Sequence, residues 1–218
     1  MKKEITKQDL INFELEIVKE YKKGETYSPV HLSGGNEDWL IPIFENIKNK
    51  DWVFTTHRSH YHSLLKSNDK KWLKKEIIEN ANSSHINSAK YKIFSSSIVG
   101  GIIPIALGTA LGIKLKNKSN HVWCFVGDMA AEMGCFEEAF KYALGEELPI
   151  TFIIENNGLG CNTPTDKVWK IRKYLESFPG VIAYNYERVY PHYGIGEWII
   201  FKDKKLKTKG DYVAEEVK

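Results

Sequence analysis

Two polar pairs in the middle of this chain carry the residue types that bind a hard cation. Gly127-Asp128 closes the apolar run His121 to Val126, and Asn156-Asn157 closes the run Pro149 to Ile154. Asp128 and Asn157 are 29 positions apart, room for a turn, a helix and a strand, the content of a right-handed parallel crossover. Both pairs then fall at the carboxyl ends of strands, where open α/β sheets bind ligands. A carboxylate and an amide oxygen converging there suit Mg²⁺, which is held by one or two carboxylates while it grips a phosphorylated ligand.

The segment between the pairs must supply the geometry. Ala131 to Glu147 has apolar residues at Met133, Phe136, Ala139, Phe140, Ala143 and Leu144, a helical spacing. The start of that helix, with its free amides and positive dipole end, favours a diphosphate in the same crevice. Gly134 near the start lets a neighbouring backbone or ligand approach closely.

Composition narrows the class. The 218 residues suffice for one substantial core, and a single domain over residues 1–218 is expected. With 42% apolar and 27% charged residues the chain reads as soluble and globular. A net charge of +3 argues against nucleic acid or a membrane as partner. The lysine clusters Lys70, Lys71, Lys74, Lys75 and Lys204, Lys205, Lys207, Lys209 read as solvated surface. Cys124, Cys135 and Cys161 lack metal-like spacing and read as reduced thiols of a cytoplasmic protein, with no signal peptide in view. The apolar stretch Ile98 to Leu115 is too interrupted by Gly, Pro and Lys to span a membrane.

Further elements follow from patterning. Thr6 with Asp9 resembles a capping box, and the helix after it ends near Gly24. Ser28 to Asn36 reads as a loop, Trp39 to Ile47 as a short helix, and Asp51 to Thr55 as a strand followed by the polar cluster Thr56 to His62. Trp72 to Glu79 is helical and Asn80 to Lys92 loop-like. In a helix over Val99 to Lys116, the small residues Gly100, Pro104, Gly108 and Gly112 form one stripe, either an internal contact with the sheet or a subunit contact. Beyond Thr165 the pattern weakens: Asp166 to Phe178 fits a helix, Val181 to Tyr186 a strand, Gly196 to Phe201 a short strand, and Lys202 to Lys218 a frayed or surface-bound end.

Several motifs together resemble a known family. Gly127-Asp128-Met129-Ala130-Ala131-Glu132-Met133-Gly134, Glu155-Asn156-Asn157-Gly158 and their separation resemble the thiamine diphosphate motif. The chain is similar to the alpha subunit of the thiamine-dependent dehydrogenase component of 2-oxo-acid dehydrogenase complexes (pyruvate, branched-chain and acetoin types). His31-Leu32-Ser33-Gly34-Gly35-Asn36-Glu37 resembles its Gly-Gln-Glu segment, Asp51 to His60 its strand leading to Tyr-Arg-x-His-Gly, and Ser97-Ile98-Val99-Gly100 with Pro104 its Ile-Val-Gly helix start. The likeness covers residues 30 to 165.

This resemblance implies a three-layer α/β/α fold with a mostly parallel sheet. It implies Mg²⁺ on Asp128, Asn157 and the Leu159 carbonyl, and a diphosphate on the amides of Met129 and Ala130 beside Gly127. Arg58 and His60 are implied at the diphosphate side, and the backbone near Ser97 and Val99 at the aminopyrimidine. His60 and His85 are the catalytic candidates; His57 is an open case, and His192 reads as a turn residue. The family's acid for the aminopyrimidine N1′ is a glutamate of the beta subunit. Glu37, Glu132 and Glu155 read here as loop, helix and metal-neighbour residues, so a pyrimidine-binding partner in a heterodimer or heterotetramer is implied. Departures are Met129 where the family has Gly, His57 where it has Tyr, and a shortened C-terminal region. Two rivals stand beside this reading: a split transketolase-like subunit, and a non-catalytic scaffold of the same fold.

Overall fold

The first helix starts as its capping residues require. The Thr6 side chain accepts from the Asp9 amide at 3.1 Å while the Asp9 carboxylate accepts from the Thr6 amide at 3.0 Å, so two otherwise orphaned donors are satisfied. A computed structural model describes residues 4–26, 28–170 and 178–201. Within them the order is α1 (Lys7–Lys22), α2 (Glu37–Glu45), β1 (Trp52–Thr55), α3 (His60–Ser67), α4 (Lys70–Ile78), β2 (Asn87–Ser88) and β3 (Ile93–Ser95). Then come α5 (Ile102–Leu115), β4 (Val122–Gly127), α6 (Asp128–Ala131), α7 (Gly134–Gly145), β5 (Ile150–Asn156), β6 (Leu159–Gly160), β7 (Thr163–Pro164), α8 (Thr165–Val168) and β8 (Val181–Asn185).

Six strands form one sheet in the order β2-β3-β1-β4-β5-β8, and β6-β7 make a separate small hairpin. Every pairing in the large sheet is parallel except β2 with β3 at the edge. Strand alternation divides the core. Cys124, Val126, Phe152 and Ile154 pack under α5 and α7, whereas Phe125 and Ile153 pack under α1 to α4. The result is three layers, α/β/α, with apolar strands buried on both faces as parallel sheets require. Phe125 is fully buried, 5.6 Å from the Phe44 ring and 4.6 Å from the His62 ring. Its burial is worth roughly 2–3 kcal/mol.

Four local expectations are revised. The polar cluster after β1 is not all loop: from His60 it is α3, in which Tyr61, His62, Ser63 and Ser67 are all buried. Tertiary packing overrides its polar composition. The segment Asn80 to Lys92 contains β2, stabilised by pairing Asn87 with Phe94. Gly196 to Phe201 is not a strand; Trp198 and Ile200 there are fully exposed and the segment pairs with no strand among the described residues. The small-residue stripe of α5 faces away from the sheet: a Cβ at Gly108 or Gly112 would meet nothing within 4 Å, and the buried face is Ile102, Ile103, Ala106, Ala110 and Ile113. The expected helix from Asp166 is α8 as far as Val168, and residues 171–177 and 202–218 lie outside the described residues. No helix among the described residues is long and apolar enough to cross a membrane.

Candidate functional site

The parallel register of β4 and β5 brings the two polar pairs side by side. Gly127 is paired with Glu155, so Asp128 and Asn157 each follow a strand end on the same edge of the sheet. A cavity of about 300 Å³ opens there, within the size range of small-molecule sites. Gly127, Met129 and Ala130 from the end of β4, and Asn157, Leu159 and Gly160 from beyond β5, form much of its wall. Asp128 is itself only 1% exposed, behind the residues that line the wall. A larger hollow of about 540 Å³ lies between α1 and α3, away from the strand ends; its Lys70 and Glu16 already pair with each other at 2.5 Å.

Local turn chemistry sets the donor atoms. Asn156 and Asn157 each accept, through the side-chain oxygen, from a backbone amide two residues on: Gly158 at 3.1 Å and Leu159 at 3.0 Å. These Asx turns reverse the chain out of β5. The Asn157 amide donates to the Tyr186 hydroxyl at 2.9 Å. Tyr186 is pushed up to about 12 by burial, with the Glu155 carboxylate and, more weakly, the Asp128 carboxylate adding to the effect. Asp128 and Asn157 thus share a neighbour in Tyr186. A buried carboxylate and an amide oxygen are hard-oxygen donor types, and by that chemistry these residues fit Mg²⁺.

Cationic side chains belong to the same lining. Arg58 and Arg188 both line the cavity. The Arg58 guanidinium donates to the Leu32 carbonyl and, at 3.3 Å, to the His192 carbonyl, and its pKa is lowered chiefly by burial. Arg188 donates to the Cys161 carbonyl at 2.6 Å and to Asn162 Oδ1 at 3.2 Å. Such a wall draws anionic groups into the cavity. Beneath it, burial alone would raise Glu155, but the His62 ring at 3.2 Å, the Tyr184 hydroxyl and the Asn36 amide outweigh it and hold the carboxyl below its ordinary range.

Of the residues expected at the site, the cavity brings together Arg58, Val99, Gly127, Met129, Ala130, Asn157 and Leu159, with Asp128 just behind. It does not bring in His60, His85 or Ser97. His60 is completely buried, with Nδ1 3.0 Å from Glu14 and Nε2 2.9 Å from the Ser83 hydroxyl. Both ring nitrogens are consumed in holding α3 against α1 and the loop at Ser83. His85 is exposed and its Nε2 lies 2.9 Å from the Ser97 hydroxyl. The Met129 side chain sits against Gly160, where a Cβ would come within 2.5 Å of its Cε. That contact explains why position 160 has no side chain.

Tyr186, Arg188 and His192 line the cavity although the sequence pattern beyond Thr165 is weak. They arrive because β8 pairs with β5, Glu155 opposite Tyr184, and the chain then returns across the strand ends. The glycine pair at Gly34-Gly35 was the one available signal. Gly35 has φ +95°, and a Cβ there would be 1.9 Å from the Glu187 carbonyl oxygen, so the first loop can press on the last one only with glycine. His57 lines the cavity too, its pKa lowered to about 3 by burial and then by neighbouring His31, Arg58 and His192. Burial likewise lowers His31 to about 4.

Comparison with known proteins places the chain among relatives of one kind. The chain is 32% identical over 165 residues to the alpha subunit of acetoin:2,6-dichlorophenolindophenol oxidoreductase from Bacillus subtilis, covering 72% of this chain and 50% of that one. It is 29% identical over 202 residues to the subunit of the same name from Cupriavidus necator, covering 86% and 61%. It is 32% identical over 157 residues to the pyruvate dehydrogenase E1 component subunit alpha of Rickettsia typhi, covering 67% and 48%. The chain therefore spans about half the length of the relatives it matches. The family model described as dehydrogenase E1 component matches residues 6–183, from the first helix cap into the last strand of the sheet. With the paired strand-end motifs and this match in agreement, the chain belongs to the dehydrogenase E1 component family.

Proposed function

We propose that this chain is the diphosphate- and Mg²⁺-binding subunit of a two-chain thiamine diphosphate-dependent enzyme acting on a 2-oxo acid. One observation carries the reading: a single cavity is lined by Asn157, Leu159 and the residues flanking buried Asp128, and also by Arg58 and Arg188. A hard-oxygen set together with guanidinium groups is what a magnesium diphosphate needs. When bound, thiamine diphosphate supplies the carbon nucleophile and electron sink for cleaving or forming a bond next to a carbonyl.

This chain's own residues then have defined tasks. Asp128, Asn157 and the Leu159 carbonyl hold the ion. The amides of Met129 and Ala130 meet the diphosphate, and Arg58 neutralises it. Val99 lines the far wall near the expected aminopyrimidine. The Met129 side chain packs onto Gly160, which has no side chain to displace it. Glu155 is already occupied by His62, Tyr184 and Asn36, so the acid for the aminopyrimidine must come from a pyrimidine-binding partner subunit. The acceptor of the transferred unit is lipoamide, through its disulfide, or a carbonyl compound.

Calorimetry of the chain with thiamine diphosphate and Mg²⁺, with and without the pyrimidine-binding partner, tests this. Weak binding alone, strong binding with the partner, and pyruvate decarboxylation only by the pair are expected. Asp128→Asn should weaken Mg²⁺-dependent cofactor binding by ~100-fold, about 2.8 kcal/mol, while circular dichroism stays unchanged. Unaltered titration in that variant defeats the metal assignment. Turnover of a ketose phosphate in place of pyruvate would transfer the reading to a split transketolase-like subunit, and absence of cofactor binding with the partner present would leave a scaffold.

A further inference from the structure

Three histidines from remote parts of the chain meet at the rim of the cavity. His31 precedes α2, His57 follows β1, and His192 lies in the segment after β8. One ring nitrogen from each lies within 4.8 Å of the other two. The rings stand edge to face, with centroids 4.7, 5.1 and 5.4 Å apart and interplanar angles of 74°, 63° and 71°. Rings arranged in this way surround a point instead of stacking on one another.

We propose that His31, His57 and His192 form a binding site for a divalent transition-metal ion of the Zn²⁺ class, with one coordination position open to the cavity. Three imidazole nitrogens select Zn²⁺, Co²⁺, Ni²⁺ or Cu²⁺ over Mg²⁺, which prefers oxygen. In a tetrahedral site with Zn–N near 2.0–2.1 Å, ligand nitrogens are roughly 3.3 Å apart. The three rings therefore need to close by no more than ~1.5 Å, within reach of small side-chain rotations.

The surroundings already orient the ligands. His31 Nδ1 is 2.9 Å from the His192 carbonyl, and donation there leaves the lone pair on Nε2. A backbone carbonyl behind a ligating histidine is the usual outer-shell partner of such sites. The same carbonyl accepts from Arg58 at 3.3 Å, and the Gly194 amide donates to the Val30 carbonyl at 2.7 Å. The His192 loop is thereby tied to the His31 strand. His192 Nδ1 is buried without a hydrogen-bond partner among the described residues, a cost that a metal or a bound water would remove. His57 and His192 both line the cavity, so the open position faces it and takes water or an anionic oxygen of whatever the cavity holds. Arg58 is the nearest fixed cation and weakens the site, but its guanidinium is turned onto the carbonyls of Leu32 and His192.

This site uses none of Asp128, Asn157 and Leu159 and stands independently of the proposed function. The test is titration of the metal-free full chain with Zn²⁺ against a chromophoric chelator, and with Co²⁺ followed by visible absorption. One Zn²⁺ per chain is expected, undisturbed by excess Mg²⁺, with a tetrahedral Co²⁺ spectrum. His31→Gln, His57→Gln and His192→Gln should each weaken Zn²⁺ binding by ~100-fold or more. Asp128→Asn and His121→Gln should leave it unchanged. In NMR spectra of the unsubstituted chain, which has seven histidines, Zn²⁺ should shift the ring signals of His31, His57 and His192, a readout independent of whether any variant folds. No stoichiometric binding, equal affinity in the three variants, loss in Asp128→Asn instead, or a shift of other histidines would overturn the assignment.

Discussion

His57 and His60 are three residues apart, yet they belong to different parts of the molecule. His60, the first residue of α3, is fully buried between Glu14 and Ser83 and has no nitrogen left to offer. His57, still in the turn after β1, keeps its ring beside His31 and His192 on the cavity wall. The same side chain is used once to lock α3 against α1, and once in the wall of the cavity. What separates the two roles is the start of a helix, which turns one ring inward and leaves the other at the strand end.

The sharpest way to break this comparison is to remove each ring. His60→Ala removes the ring from the Glu14 carboxylate, which is as completely buried and keeps the Ser33 amide at 2.7 Å, and is expected to cost about 3 kcal/mol of stability. His57→Ala should cost less than about 1 kcal/mol. Urea unfolding compares them, and equal losses would erase the distinction.

A smaller effect is expected from Gly35→Ala, about 2 kcal/mol, since the site combines φ +95° with a carbonyl where the Cβ must go. Its damage should fall on the cavity side. Hydrogen exchange at Gly194, which bonds Val30 at 2.7 Å, should accelerate more than exchange at Ser63, which bonds Ser59 at 2.9 Å. The reverse order would mean that the loop contact does not hold the Arg188 and His192 segment.

A separate effect concerns pH. Burial lowers His31 from 6.5 to about 4 and His57 from 6.5 to about 3 in the folded chain. Between those values and 6.5 the unfolded chain binds more protons than the folded one, so stability must fall as pH falls through that window. In metal-free protein, the urea midpoint should therefore decline from pH 6.5 towards pH 4, and less steeply in a His31→Gln, His57→Gln double variant. Identical slopes would show that the two rings are solvated after all.

Much of the sheet was readable from residue order because apolar runs of strand length alternate with helical spacing. β1, β4, β5 and β8 lie close to where the runs Asp51 to Thr55, His121 to Val126, Pro149 to Ile154 and Val181 to Tyr186 put them. Three-residue β3 and two-residue β2 were hidden, since segments so short carry no period and exist only through their pairing with each other and with β1. Half of the cavity wall was legible for the same reason as the sheet: Gly127 to Ala130 and Asn157 to Leu159 are contiguous segments directly after strands, and parallel pairing obliges them to meet.

Residue types and spacing alone determined that a carboxylate and an amide would share one edge of a parallel sheet, because a crossover of that length permits little else. Only the tertiary structure decided which histidine faces the core and which the cavity. It also decided that Tyr186, Arg188 and His192 complete the wall. Those choices depend on helix phase and on the Gly35 contact with Glu187, long-range packing that local pattern does not encode.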